Sequence, residues 1–551
     1  MAINWPSITQ GTGTGTTYTA PSPGKNVWIW SGYSWGSTGT TANGGFSGPW
    51  VIFDSYGKSR GFNTLLDAIV IAASGDTIHL FQNITEPLNG SEDYIIFDKN
   101  ININLNGHTY TLDANFDINN VRGFRNSGDV NVKIFNGNIS AINAPVNFSV
   151  FVEDDSISTS IGCNWTFNSV TITKDSGSSP VGSFISSVTG GIFKDTSTTE
   201  GVSALALFPS LVGLRNSIII RDCIGISNKG NGIYLIGGDP NLLITLINCK
   251  GYSSLSGLST EYSGMHVINQ GGSAVNGTNK LRLINCLGVN DYDIARFGLP
   301  SVGCYGISSV GLESTLIHCD GKAISGGGIK TDGSTLISCS GESRMVQTSG
   351  QSNSFYSLGS SVLKRCSASG DGTNGNNIAF KTTGDIRYGS TGEYIDGCNL
   401  QSSDFSTVNL DTSGIYVVSG SSANTIYISN SVVSGFNHGI VQPVASTPRI
   451  NVYNSKITHT PSSIYGGHFP IVLNGELSAQ YQVIANNIIE STAASPAIYR
   501  DPELFSSLTV YMTHNSCRNV NSLNTSFGAA IVQGMTSIIN AEMNIQQNIN
   551  Y

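Results

Sequence analysis

A small number of ionisable side chains occupy matching places in this sequence, and their types are those of acid–base catalysis. Charged residues make up only 11% of the chain, so a local concentration of them marks a candidate groove. The alternative is that all of them are ordinary solvated residues on an outer face. The candidate catalytic residues are Glu261, Asp291, Asp293, His266, Lys330 and Asp332.

Paired carboxyl groups could cleave a glycosidic bond. Retaining glycosidases hold two carboxyl groups about 5 Å apart, and inverting ones hold them roughly 6.5 to 9.5 Å apart. Glu261 with either Asp291 or Asp293 is the first candidate pair. One residue would act as the general acid and the other as the base or nucleophile.

A lyase would use a different set, because it needs a base and a cation that neutralises a uronate carboxylate. His266, Lys330 and Tyr234 supply these side-chain types. Tyr234, Tyr416 and Asp239 are the candidate substrate-binding residues. No group of residues has the spacing of metal ligands, so neither a metal nor another cofactor is predicted.

A rival carboxylate cluster consists of Glu153, Asp154 and Asp155 in "FVEDDSIS". By charge alone this cluster is as good a hydrolase candidate as the first set. Its three carboxylates could equally hold a calcium ion, or nothing.

The elements that would position these residues form a repeat. "LLITLINCKG" from Leu242 has near-copies in "LRLINCLG" from Leu281, "STLIHCDG" from Ser314 and "STLISCSG" from Ser334. The cysteine position recurs about every 29 residues as far as Asn515, a period that predicts a solenoid. Apolar and polar residues alternate around it, which predicts a strand. Motifs such as "GIYL" give a second strand in each coil, and the residue after each cysteine could start a third.

The predicted coils stack about 4.8 Å apart and bring equivalent residues into files. Most of the ten cysteines would stack as small buried residues at one corner. One such file is expected on the outside of the solenoid and comprises Tyr234, His266, Ser308, Lys330, Tyr416, Val441, Val472 and Tyr499. Two residues beyond this external file we expect Asp332, Lys381, Asn474 and Asp501.

The segment "NTLLDAIVIAASGDTIHL" could form a short amphipathic helix that Asn63 caps and Gly75 ends. This segment, followed by "INLNGHTYTLD", resembles the opening of right-handed parallel β-helix proteins of the pectate-lyase-like superfamily. The resemblance covers roughly residues 60 to 551. The resemblance implies an all-β, right-handed single-stranded parallel β-helix whose first coil is capped by a helix. It implies no activity, because the pectate-lyase "vWIDH"-like stretch and the GHG and RIK elements of polygalacturonases are absent.

Residues 1–58 differ in composition from the rest of the chain and are predicted to be a separate segment. Residues 59–551 are predicted to form the β-helix domain. Five of the six tryptophans fall within the first fifty positions. The segment is either a small head that attaches the chain to a partner or an aromatic plug over the open end of the solenoid, where a sheet edge needs protection.

The start of the chain lacks the pattern of a Sec-type signal, and charges are few. These two features, combined with the Trp-rich N-terminal piece and the long predicted β-helix, resemble those of bacteriophage tailspikes and related virion appendages. The resemblance implies a location on the virion and a homotrimer. It also implies N-terminal attachment to tail baseplate proteins and binding, often cleavage, of host surface polysaccharide. A trimer would use Val441 and Val472 as a subunit contact.

Other classes of partner are disfavoured by composition. The net charge of −9, with no long basic run, argues against nucleic acid and anionic membranes. No apolar run reaches the roughly 18 residues of a transmembrane helix. Two alternatives to the tailspike interpretation remain: a non-catalytic structural or adhesive fibre, and a secreted polysaccharide lyase or hydrolase.

Overall fold

The chain divides into two compact units, Met1–Tyr234 and Leu235–Tyr551. The computed structural model describes residues 17–19, 26–30, 35–41, 48–55, 59–88, 93–115, 122–126, 129–153, 164–208, 217–237, 243–254, 262–269, 280–291, 304–310, 314–324, 326–345, 351–359, 361–372, 376–383, 392–404, 412–418, 425–435, 437–443, 448–459, 469–474, 481–495, 498–499, 509–520, 537–538 and 542–546.

The first unit begins with antiparallel strands and a short helix. Thr17–Thr19, Asn26–Trp30 and Trp35–Thr41 form one sheet. Trp50–Phe53 pairs antiparallel with both Ser59–Phe62 and Thr77–Leu80. The helix Leu65–Ile71 confirms the predicted helix, but both ends differ from the prediction. Its N-cap is Thr64 and not Asn63, because the Thr64 hydroxyl accepts a hydrogen bond from the Asp67 N–H. The helix ends at Ile71 with Ala72 as its C-cap, before Gly75.

Parallel coils make up the rest of the first unit. One series of strands comprises Ile84–Pro87, Ile101–Asn104, Thr109–Asp113, Asn131–Ile142, Asn164–Lys174, Ser187–Asp195, Ser217–Arg221 and Ile224–Ser227. The other comprises Asp93–Phe97, Arg122–Asn126, Ser149–Val152, Gly182–Phe184, Leu205–Leu207 and Ile233–Gly237, which contains the unit boundary. The core between them is aromatic: the rings of Phe124 and Phe151 stack with centroids 4.6 Å apart.

The second unit has three strands in each coil, all paired in parallel with their equivalents in neighbouring coils. The first strands are Leu243–Ile247, Lys280–Ile284, Ser314–Ile317, Thr335–Ile337, Val362–Lys364, Glu393–Asp396, Thr425–Ser429, Arg449–Tyr453 and Tyr481–Ala485. The second strands are Lys250–Ser253, Leu287–Asn290, Asp320–Ala323, Ser340–Met345, Ser367–Gly372, Asn399–Asp404, Val432–Gly435, Lys456–His459 and Ile488–Ser495. The third strands are Ser263–Asn269, Tyr305–Val310, Gly327–Thr331, Gln351–Ser357, Asn376–Thr382, Ser413–Val417, His438–Gln442, Ile471–Leu473 and Ile498–Tyr499. Thr509–Val520, Ser537–Ile538 and Glu542–Gln546 follow.

The repeated cysteine marks the corner between the first and second strands. The residue before it has a left-handed backbone, with φ of 55° at Asn248 and 51° at Asn285, and asparagine tolerates that conformation well. The cysteine itself is buried and free, as at Cys319, whose thiol donates to the Leu283 and Ile317 carbonyls. The prediction of small buried residues stacked at one corner is therefore confirmed for seven cysteines: Cys223, Cys249, Cys286, Cys319, Cys339, Cys366 and Cys398. Cys304 is also buried and free, but it lies outside the corner repeat.

The glycine two residues after the cysteine has its own physical cause. A Cβ added at Gly251 would lie 2.0 Å from the Gly264 carbonyl oxygen, and one at Gly321 would lie 2.2 Å from that of Gly328. In these coils the second and third strands thus approach each other too closely for any side chain, whereas later coils accommodate Leu400 and Val433 at the same position. All the parallel pairing supports the predicted all-β, right-handed parallel β-helix. The predicted division at residue 58 stays a prediction.

Candidate functional site

The third strands of the second unit align one outward residue per coil. We call this set the outer file; it comprises His266, Ser308, Lys330, Tyr356, Lys381, Tyr416, Val441, Val472 and Tyr499. The residue before each of them, such as Ile329 or Phe380, is buried in the core. Because side chains alternate along a strand, the outer file lies on the opposite face of this sheet.

The predicted register is confirmed from His266 to Tyr499, with one error and one omission. Lys381 was expected two residues beyond the file, but it lies within it, in register with Tyr416. Tyr356 was missed altogether. Ser354 and Ala379 replace the glycine of the "GIYL" motif in these two coils, so a search for a small residue followed by phenylalanine would have found both.

Lysines and tyrosines make ring contacts along the outer file. The Lys330 ammonium lies 5.3 Å from the ring centroid of Tyr305 and 5.9 Å from that of Tyr356. The Lys381 ammonium lies 5.1 Å from the same Tyr356 ring. These are cation–π distances, so Tyr356 lies between two positive charges.

Exposure changes along the outer file. His266 and Lys330 are only 9% and 8% exposed. Burial, and secondarily the charge of Lys330, lowers the pKa of His266 to about 4, which leaves the imidazole neutral at neutral pH. Tyr356, Lys381 and Tyr416 are half-buried, and burial lowers the pKa of Lys381. This run of three is therefore the longest accessible part of the file; Tyr499 is half-buried too, but Val441 and Val472 before it are buried.

The other predicted catalytic residues do not all join the outer file. Asp332 is buried just after the strand that carries Lys330. Asp291 is exposed and follows the second strand Leu287–Asn290, where its N–H donates to the Ser253 carbonyl oxygen at 3.0 Å. Its proposed hydrolase partners Glu261 and Asp293, like the substrate-binding candidate Asp239, lie outside the described residues. The hydrolase pair therefore stays a prediction.

Tyr234 belongs to the first unit. It is half-buried, its ring meets that of Phe208 edge to face at 6.3 Å, and burial raises its pKa. Its proposed role in substrate binding stays a prediction.

The rival cluster does not form an open set of three carboxylates. Glu153 is buried, and its carboxylate accepts hydrogen bonds from the Trp165 indole N–H at 2.6 Å and from the Ile185 N–H at 2.7 Å. Asp154 and Asp155 lie outside the described residues. Glu153 thus stabilises the interior of the first unit, because a buried carboxylate needs such donors.

Among the residues that the structure describes, no group of three or more His, Cys, Asp or Glu side chains could hold a metal ion. Among these same residues, no helix is long and apolar enough to cross a membrane.

Comparisons with known proteins add little to this picture. No family model and no curated protein matches the chain. One chain in the cryo-EM structure of the Vag8–C1 inhibitor complex is similar at 10% identity and a TM-score of 0.36, over 85% of this chain and 98% of that one. So low a TM-score supports no argument about function, and the fold rests on the strand pairing described above.

Proposed function

We propose that this protein is a host-recognition appendage of a virus particle, of the bacteriophage-tailspike kind, which binds host surface polysaccharide along the outer file. The supporting observation is the run Tyr356, Lys381 and Tyr416, three half-buried side chains in register on consecutive coils. Tyrosine presents a large apolar ring with a hydroxyl, and an elongated polymer matches a linear series of equivalent subsites. A parallel β-helix provides such a series because its coils repeat every ~4.8 Å.

The partners that go with this proposal are tail or baseplate proteins, contacted through residues 1–58, and two further copies of the chain in a homotrimer on the virion. The contact expected at Val441 and Val472 needs revision, because both side chains are already buried within one chain. A trimer would have to use another surface.

Incubation with extracted surface polysaccharides from candidate hosts tests the proposal. Binding is followed by affinity electrophoresis, and cleavage by chain length, new reducing ends and absorbance in the unsaturated-uronate band. Tyr416→Ala should weaken binding at least tenfold. Tyr453→Ala, which removes a half-buried tyrosine from a first strand, is the matched control and should bind as the wild type does.

Each outcome has a distinct meaning. No binding across a broad panel, or equal loss in both variants, would refute the proposal. Binding without cleavage would leave a recognition fibre. New reducing ends without absorbance would indicate a hydrolase and make Glu261→Gln and Asp291→Asn the next variants, whereas new absorbance would turn attention to His266 and Lys330.

A further inference from the structure

The outer file is positively charged in a protein that is acidic as a whole. The chain carries a net charge of −9, yet the nine members of the file include two lysines and no carboxylate. Lys330 and Lys381 are two coils apart, which places their backbones ~10 Å from each other. Like charges at this separation on a partly buried surface create a local positive potential.

Tyr356 holds these two charges in place. Its ring has the Lys330 ammonium at 5.9 Å and the Lys381 ammonium at 5.1 Å. Lys330 is almost completely buried, whereas Lys381 is half-buried and has Tyr416 in register on its other side. A ligand that lies along the file would therefore meet an aromatic ring, an ammonium group and a second aromatic ring in that order.

We propose that the ligand is an anionic polysaccharide, one of whose acidic groups contacts the Lys381 ammonium while neighbouring sugar rings pack against Tyr356 and Tyr416. This inference rests on the proposed function and specifies its substrate class. Complementary charge would raise the rate of encounter and exclude neutral glycans of the same shape. Lys330 lies behind Tyr356 and does not touch the ligand.

The test uses the full chain and surface polysaccharide that has been separated into neutral and acidic fractions by anion exchange. The acidic fraction is used untreated, after carboxyl reduction, which removes uronates, and after mild hydrogen fluoride treatment, which removes phosphates. Lys381→Gln should weaken binding to the untreated acidic fraction at least tenfold, while Lys381→Arg should stay within about threefold of the wild type. Lys364→Gln removes an exposed lysine from a first strand and should change binding less than twofold.

Loss of binding after one of the two treatments would support the inference and identify the acidic group. Equal binding of the neutral fraction, or binding that survives both treatments, would overturn the inference and leave the proposed function standing. Equal weakening by Lys364→Gln and Lys381→Gln would also overturn it, because the attraction would then come from overall charge. Absence of binding to every fraction would refute the proposed function itself, and the inference with it.

Discussion

The ammonium of Lys381 lies 5.1 Å from the ring centroid of Tyr356, the residue that pairs with it in register one coil earlier. Neither side chain lies in the core, and the pair stabilises adjacent coils from the outer face of the sheet. A cation–π contact of this kind contributes about 0.5 to 2 kcal/mol, depending on how far the cation is desolvated.

A double-mutant cycle should measure this coupling. We expect Tyr356→Leu, Lys381→Met and the double variant to give an interaction free energy of about 0.5 to 1 kcal/mol in urea unfolding. The matched cycle combines Tyr356→Leu with Lys364→Met, whose lysine lies on a first strand, and should be additive within about 0.3 kcal/mol. A Tyr356–Lys381 cycle that is also additive would show that the ring contact is incidental.

Two of the buried histidines, His79 and His266, should make the protein sensitive to acid. Burial lowers the pKa of both His79 and His266 to about 4, from 6.5 in an unfolded chain. Between pH 6.5 and pH 4 the unfolded state therefore binds more protons than the folded state, and stability falls as the pH falls. Each histidine should cost roughly 3 kcal/mol across this window.

The measurement for these histidines is the free energy of unfolding as a function of pH. His266→Asn and His79→Asn should each flatten the decline between pH 6.5 and pH 4. His318→Asn is the control, because its side chain is exposed and its left-handed backbone suits asparagine. If the two buried-site variants lose stability with the same slope as the wild type, these imidazoles are not the groups that titrate.

The corner motif shows how much of the fold could be predicted from sequence. The corner restricts the residue type at three places. One residue must tolerate a left-handed backbone, the next must fit a tight bend, and a third must be glycine where two strands approach closely. Asn285, Cys286 and Gly288 satisfy these three requirements within four positions. The left-handed residue recurs from coil to coil, and the cysteine and glycine recur in several of them; that repetition is why the solenoid could be predicted.

The candidate site was less predictable because it depends on contacts between coils. The placement of Lys381 failed because Ala379 replaced the motif glycine, and strand pairing shows the correct register with Tyr356. The burial of His266 and Lys330 depends on packing around an outward face, and strand alternation alone does not include that packing. Glu153 was placed in a candidate carboxylate cluster for the same reason, because its hydrogen-bond donors Trp165 and Ile185 lie further along the chain.

Two corners should respond in opposite ways to substitution. Arg365 has a φ of 54° at the place where most other coils have asparagine, so Arg365→Asn should raise the free energy of unfolding by about 0.5 to 1 kcal/mol. Gly397 has a φ of 63° at the equivalent place, so Gly397→Ala should lower it by about 1 kcal/mol. Urea unfolding of both variants checks the pair; a change of the same sign in both would contradict the backbone explanation.

The interior of the first unit contains a pair of charged residues whose removal should be strongly non-additive. Lys174 and Asp195 pair in register on neighbouring coils, and both are 0% exposed. The Lys174 ammonium donates to the Ser179 carbonyl, and the Asp195 carboxylate accepts from the Ser197 hydroxyl at 3.0 Å. Lys174→Met would leave a buried acid without its cation, which should cost about 3 to 5 kcal/mol, whereas Lys174→Met with Asp195→Leu should recover most of that loss.

The pH dependence of this pair provides an independent check. Burial lowers the pKa of Lys174 to about 8, against the opposing effect of Asp195, whereas in the unfolded chain it is 10.5. Between pH 8 and pH 10.5 the unfolded state therefore holds more protons on this residue, and its contribution to stability rises with pH. Lys174→Met should abolish that rise in urea unfolding experiments. A rise that persists in the variant would assign it to another group, and additive losses in the double variant would show that the two charges do not stabilise each other.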